Sequence, residues 1–351
     1  VQVVTPEFIR NKKVLLRMDL DVPLGKPSAV SRQPSAGSVV LDDFRLKVGL
    51  PTLKLCLEHA SEVIVMGHIG RPNGREVPEL SVAPIYDWLE EELGGMEGLE
   101  GKLRLLENLR FEPGESFDTA QAFGSEAQAR RDEDAVLKYA EKLAALGDVF
   151  VNEAFAAHHP AASTTVLPTL LPHTAGLNFA KEVEILTRVR ENPGKPLVII
   201  IGGAKVEDKF PVVLEMAKIA DYVLVGGKIA GELSAVSSQL SASVLVGKLN
   251  EEGTDITPET IDRWQEIIRE AKMIVWNGPL GKIEDPKNDQ TKRLAEMIVS
   301  SDAETVVGGG DTVTYLDQLG LLDKFSFVSA GGGAMLELLA TGTLPTIEVL
   351  N

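Results

Sequence analysis

The chain has 351 residues, 44% of them hydrophobic and 25% charged. That is an ordinary globular balance in a chain too long for one core, so two domains are expected. A formal net charge of −17 argues against nucleic acid or an anionic membrane as partner, because both attract basic surface, and a single cysteine, Cys56, excludes an internal disulfide and a multi-cysteine metal site.

No signal-peptide pattern opens the sequence and no apolar run reaches membrane-spanning length, which makes a cytoplasmic location the expectation. Short apolar runs predict strands over residues 14–18, 62–66, 103–106 and 148–151 in the first half. Runs at 197–201, 222–225, 243–246, 273–276, 305–307 and 325–328 predict strands in the second half. Helical patterns lie between them, among them 134–146 and 258–271, and Cys56 falls in another as a buried small hydrophobe. Such alternation implies an α/β fold: parallel sheets covered by helices on both faces, with ligands at the carboxyl ends of the strands. Residues 25–39, rich in Ser, Pro, Gly and Ala, read as a surface loop, and the polar stretch 115–132 reads as a surface insertion, partly helical. The helical run 180–191, closed by Asn192-Pro193-Gly194, is the predicted junction. It divides the chain into 1–178, 179–335 and a closing segment 336–351.

Polar clusters follow the predicted strands of the first half. They are Arg17-Met18-Asp19-Leu20-Asp21, Gly67-His68-Ile69-Gly70-Arg71-Pro72, Glu107-Asn108-Leu109-Arg110-Phe111 and Val151-Asn152-Glu153-Ala154-Phe155, while Asp42-Asp43-Phe44-Arg45 opens a helix. Arg45, Arg71 and Arg110 present planar forks suited to carboxylate or phosphate, although a single arginine is more commonly a solvated charge. His68 beside Arg71 fits an anion clamp better than a metal site. Arg17, inside an apolar run, reads as half of a structural ion pair with a carboxylate. Adjacent residues such as His158 and His159 rarely point the same way, which makes them a poor metal pair, and His59 and His173 read as surface or packing residues.

Glycine-rich runs mark strand ends in the second half: Gly202-Gly203-Ala204-Lys205-Val206-Glu207-Asp208-Lys209, Gly308-Gly309-Gly310-Asp311-Thr312 and Ser329-Ala330-Gly331-Gly332-Gly333-Ala334. Without a Cβ, glycine lets a polyanion approach main-chain N–H groups. Lys205 and Lys209 add positive charge, and Asp311 adds a hard oxygen of the kind Mg²⁺ prefers. Together they predict a site for a metal-bound polyphosphate, with tight turns as the alternative use of each glycine. Neither a P-loop nor a G-x-G-x-x-G fingerprint occurs, which disfavours a dinucleotide-dependent oxidoreductase.

With these clusters in this order, the chain resembles the phosphoglycerate kinase family over nearly its whole length. The matching segments are 14–23, 42–45, 67–72, 106–111, 202–209, Trp276-Asn277-Gly278-Pro279-Leu280-Gly281, 308–312 and 331–339. The resemblance implies two Rossmann-like domains facing each other across a cleft, working as a monomer. It implies reversible transfer between 1,3-bisphosphoglycerate with ADP and 3-phosphoglycerate with ATP, with Mg²⁺ as cofactor. By position, Asp19, Leu20 and Asp21 would hold the glycerate part of the substrate, and His68, Ile69, Gly70, Arg71 and Arg110 would clamp its phosphate. Arg45 and Lys205 would be catalytic, meeting the transferring phosphoryl group from opposite sides. Gly203, Ala204, Lys205, Lys209, Asn277, Pro279, Glu284, Gly309, Gly310, Asp311 and Thr312 would bind nucleotide, with Asp311 on the metal, Glu284 on the ribose and Thr312 capping a phosphate. The last helix, from about Met335, would pack back on the first domain.

Four departures bear on that expectation. Asp21 stands where the family usually has asparagine. Pro160 and Ala162 replace an arginine and a histidine that usually follow His159. Lys228 and Lys282 occupy usually small or apolar positions, and the stretch 231–258 is short. These changes touch substrate binding more than phosphoryl transfer. They leave open a nucleotide-binding protein with an impaired acceptor site, or a kinase for another small acid.

Overall fold

The computed structural model describes residues 1–26, 38–94, 101–116, 126–203, 210–234 and 240–351, with the backbone alone for 126–132. The chain forms two compact units, unit 1 from Val1–Val183 with Leu344–Asn351, and unit 2 from Glu184–Thr343.

Unit 1 runs α1 (Pro6–Ile9), β1 (Lys13–Arg17), β2 (Leu24–Gly25), β3 (Val39–Val40), α2 (Phe44–His59), β4 (Glu62–Met66), α3 (Ala83–Leu93), β5 (Leu103–Leu105), α4 (Glu126–Ala144), β6 (Val149–Asn152), α5 (Leu167–Leu170), β7 (His173–Ala175) and the start of α6 (Leu177–Glu191). Five strands form a parallel sheet in the order β5-β4-β1-β6-β7. Side chains alternate across its faces. Val14, Leu16 and Met18 of the β1 segment pack with Leu46, Leu50 and Leu53 of α2 and Ile85 and Leu89 of α3. Leu15 turns the other way, onto Phe150 of β6, Val136, Ala140 and Leu143 of α4, and Leu167 of α5. Burial on both faces is why these strands read as unbroken apolar runs.

Three features depart from the sequence reading. Leu24–Gly25 and Val39–Val40 pair as a short antiparallel hairpin at the two ends of the expected loop 25–39, whose residues 27–37 lie outside the described residues. β7 was not predicted; in it the His173 ring donates from Nδ1 to the Pro168 carbonyl at 2.6 Å. Glu115, assigned to a surface insertion, is 1% exposed, because Ser163 hydrogen-bonds both its carboxylate oxygens.

Unit 2 carries the rest of α6, then β8 (Leu197–Ile201), α7 (Phe210–Ile219), β9 (Tyr222–Val225), α8 (Gly227–Ser234), β10 (Val244–Val246), α9 (Pro258–Glu270), β11 (Met273–Asn277), α10 (Gln290–Val299), β12 (Glu304–Gly308), α11 (Gly310–Gln318), β13 (Phe327–Val328) and α12 (Gly332–Thr341). Its six strands are parallel, in the order β10-β9-β8-β11-β12-β13. The central strands β8 and β11 are buried throughout. β13 is shorter than the predicted 325–328 because a 3₁₀ turn at Leu322–Lys324 closes on Phe325. The last helix, α13 (Pro345–Glu348), belongs to unit 1.

Strand order reverses between β1 and β6 in unit 1 and between β8 and β11 in unit 2. In open α/β sheets the crevice at such a reversal is where ligands bind.

Candidate active site

In unit 1 the loops after β1, β4 and β5 are tied together through their polar groups. The Asp21 carboxylate accepts from the Gly70 amide (2.9 Å), and the Asp21 carbonyl accepts from Arg45 Nη1 (3.0 Å). Arg110 Nη1 donates to the Gly70 carbonyl (2.8 Å). Asn108 links the remaining loops: its Oδ1 accepts from the Ile69 and Arg110 amides, and its Nδ2 donates to the Ile69 and Leu80 carbonyls. Gly70 has φ +61°, which favours glycine, and an added Cβ would meet Leu80 at 3.0 Å.

Asp19 is the most constrained member. Its Oδ1 accepts from the Asp21 amide (3.2 Å), and its Oδ2 lies 3.5 Å from Arg45 Nη1 but is buried without a hydrogen bond. Burial raises its carboxyl above the usual range, against the pull of Arg45. His68 is buried, with Nδ1 2.7 Å from Arg17 Nη2. Burial, then Arg17 and the other arginines, hold it well below its ordinary value, so the imidazole is a neutral donor and not a cation. Arg71 is exposed.

Several expected site residues also serve the fold. Leu20 and Ile69 are core residues, 0% and 3% exposed, and both backbone groups of Ile69 are engaged by Asn108. Asp21, expected on the substrate, has one carboxylate oxygen on the Gly70 amide and so braces the loop. Arg17 was expected to pair directly with a carboxylate. Instead its Nε donates to Ser163 Oγ (3.0 Å), which passes the contact on to Glu115 Oε1 (2.6 Å). Pro160 is exposed and supplies no donor, and Ala162 is a fully buried core residue. Asn108 stood inside a quoted motif, so its position was visible. Glu115 and Ser163 left no periodic signal, because partners far along the chain decide their burial.

In unit 2 the glycine runs after β8, β12 and β13 meet the loop after β11. The Gly203 amide donates to the Pro279 carbonyl (2.8 Å), and Thr312 Oγ1 accepts from the Gly278 amide (3.0 Å). A Cβ on Gly202 would lie 2.2 Å from the Pro279 oxygen, and one on Gly332 would lie 2.5 Å from Gly309 Cα. Close backbone crossing therefore requires these two glycines. Thr312 is fully buried with its hydroxyl oxygen on the Gly278 amide, and its backbone amide stands in the first turn of α11, where helix N–H groups lack partners within the helix. Gly310 differs: nothing lies within 4 Å of an added Cβ. Asn277 Nδ2 donates to the Gly332 carbonyl (3.1 Å), joining the end of β11 to the start of α12. Asp311, Glu284, Lys228 and Lys282 are exposed. Ala204, Lys205 and Lys209 lie outside the described residues.

Known proteins place this arrangement. The family model described as phosphoglycerate kinase matches residues 6–248 and 235–342. The chain belongs to the phosphoglycerate kinase family. It is thus an enzyme, a phosphotransferase. The phosphoglycerate kinase of Salinibacter ruber is 34% identical over 411 aligned positions, covering 98% of this chain and 97% of that protein. That of Herpetosiphon aurantiacus is 33% identical over 407 positions, covering 97% and 96%. Among solved structures, phosphoglycerate kinase from Coxiella burnetii superposes with a TM-score of 0.77 at 30% identity, over 97% of this chain and 96% of that one. The enzyme from Pyrococcus horikoshii OT3 gives the same score at 25% identity. These alignments run longer than the chain's 351 residues, so phosphoglycerate kinase relatives carry segments this chain lacks. The two family matches overlap at 235–248, inside the stretch 231–258 that reads as short.

Proposed function

We propose that unit 1 binds 3-phosphoglycerate and unit 2 binds a magnesium nucleotide, for reversible transfer between 1,3-bisphosphoglycerate with ADP and 3-phosphoglycerate with ATP. The observation that carries this reading is the joined set Asp19, Asp21, Arg45, Gly70 and Arg110 at the strand reversal of unit 1. The Asp19 Oδ2, buried without a donor, would accept from the substrate hydroxyl. Neutral His68 and the cations Arg71 and Arg110 would hold the phosphate. Arg45, oriented by Asp19 and the Asp21 carbonyl, would stabilise the equatorial oxygens of the moving phosphoryl group. The acceptor is a carboxylate already ionised, so no strong base is needed.

In unit 2, Asn277, Pro279 and Glu284 would flank the nucleotide, with Gly203 and Lys209 near its phosphates and Lys205 at the transferring group. The amides that open α11 would meet the phosphates, because the first turn of a helix leaves them unpaired. Asp311 fits Mg²⁺: a single exposed carboxylate beside phosphate oxygens is the usual protein share of such a site. Bound there, the ion would neutralise charge on the phosphate oxygens. The family implies a cytoplasmic monomer.

Pro160 removes a charge-assisted contact from the acceptor side, which raises the KM for 3-phosphoglycerate about 10- to 150-fold relative to a chain with arginine there. Initial rates of ATP-dependent phosphorylation of 3-phosphoglycerate test the reading. The native enzyme is expected to turn over, Pro160→Arg to lower KM, and Arg45→Ala to lose about 10²–10³ in kcat. Absence of turnover in both the native chain and Pro160→Arg rejects the assignment of this acceptor.

A further inference from the structure

We propose that Arg17 is a positioning residue that holds His68 as the neutral imidazole whose one ring proton, on Nε2, is offered to the anionic group of the acceptor. The proposal rests on reading unit 1 as the acceptor site. Arg17 ends β1 and is 1% exposed. Its Nη1 donates to the Met18 carbonyl (2.7 Å), its Nε to Ser163 Oγ (3.0 Å), and its Nη2 stands 2.7 Å from His68 Nδ1. A guanidinium only donates, so Nδ1 must accept and the ring proton sits on Nε2. A second proton on Nδ1 would oppose an imidazolium to a guanidinium at hydrogen-bond distance, out of water.

The surroundings reinforce this choice. Burial, then Arg17, Arg110, Arg45 and Arg71, all disfavour a charged His68. The negative groups around Arg17 are Glu115, Asp19 and Asp21. Glu115, itself buried, holds Ser163 from both sides, taking the hydroxyl at 2.6 Å and the amide at 3.2 Å. A relay therefore runs Glu115–Ser163–Arg17–His68, from a 3₁₀ turn through β1 to the loop after β4. An unperturbed histidine would titrate inside the working pH range and make anion binding follow it. Here the ligand meets a donor whose form does not change.

Nitrogen-15 NMR of the full-length enzyme labelled at histidine tests this, with His68 identified by the signal lost in His68→Gln. The expected result is an Nε2–H tautomer that does not titrate between about pH 5.5 and 8. A ring that titrates in that window, or that carries its proton on Nδ1, overturns the proposal, and the native chain alone decides it. In Arg17→Met, Nδ1 loses its donor and the Nε2–H form gives way to a mixture of the two tautomers, and the KM for 3-phosphoglycerate rises about fivefold, with kcat changed less. A folded Arg17→Met with an unchanged His68 signal also overturns it. Inorganic phosphate separates the two readings. A shift of the Nε2 signal on adding phosphate supports both, and an unmoved signal overturns the acceptor-site reading whatever the tautomer.

Discussion

Glu153 shows how a single buried carboxylate can set a pH limit. It follows β6 and accepts from Thr52 Oγ1 (2.9 Å) and from the Asn178 and Phe179 amides (3.1 Å each), capping the first turn of α6 from a distance. Burial nevertheless raises its carboxyl to about 8, against the lowering pull of those donors. The folded chain therefore keeps a proton that the unfolded chain releases near its ordinary value of 4.5. Stability from this group is full below that value and is lost as pH rises toward 8. Denaturant midpoints across that window should fall for the native enzyme and be flatter for Glu153→Gln. Equal slopes would show that Glu153 is ionised throughout. The site has no room to adapt, since a Cβ on Gly176 would strike Glu153 Oε2 at 2.0 Å.

At the scale of elements, the glycines at the strand ends divide into two kinds. Gly278 has φ +95° and an added Cβ would lie 2.3 Å from the Gly202 oxygen. Gly278→Ala should cost about 1–3 kcal/mol of stability, read from urea unfolding. Gly310→Ala meets open space and should leave that midpoint unchanged. Any loss of ADP affinity in Gly310→Ala then reports on the phosphate cradle alone, and unchanged affinity would remove Gly310 from it. The sequence could not separate these cases, because a glycine forced by a crossing backbone and one left open for a ligand are the same letter. Strands were legible where burial on both faces writes an apolar run, and β4, β8 and β9 match their predicted bounds. β7 and the β2–β3 hairpin have only two or three residues per strand, and no apolar run of strand length marks them. The clusters of the acceptor side were visible as motifs. Which groups in them also serve the fold was not, as Leu20 and Ile69 do in packing and one carboxylate oxygen of Asp21 does on the Gly70 amide.

For the whole molecule, each unit has its own sheet and its own strand reversal, so each ligand should protect its own half. Hydrogen exchange with Mg-ADP at about 100 times its Kd should slow opening in Glu184–Thr343 by up to about 2.7 kcal/mol. Exchange with 3-phosphoglycerate should slow opening in Val1–Val183. Protection by Mg-ADP concentrated in the first unit would contradict the assignment of the nucleotide. The net charge of −17 opposes both anionic ligands at long range, so added salt should weaken that repulsion and raise their association rates.

Unit 1 is built from two separated stretches, and the later one is not ornamental, for Leu344 and Thr346 are fully buried. A ribosome therefore delivers the first stretch, then all of unit 2, and only afterwards the residues that complete unit 1. The half that is second in the chain is the first that can finish folding during synthesis, and the half made first has to wait for it.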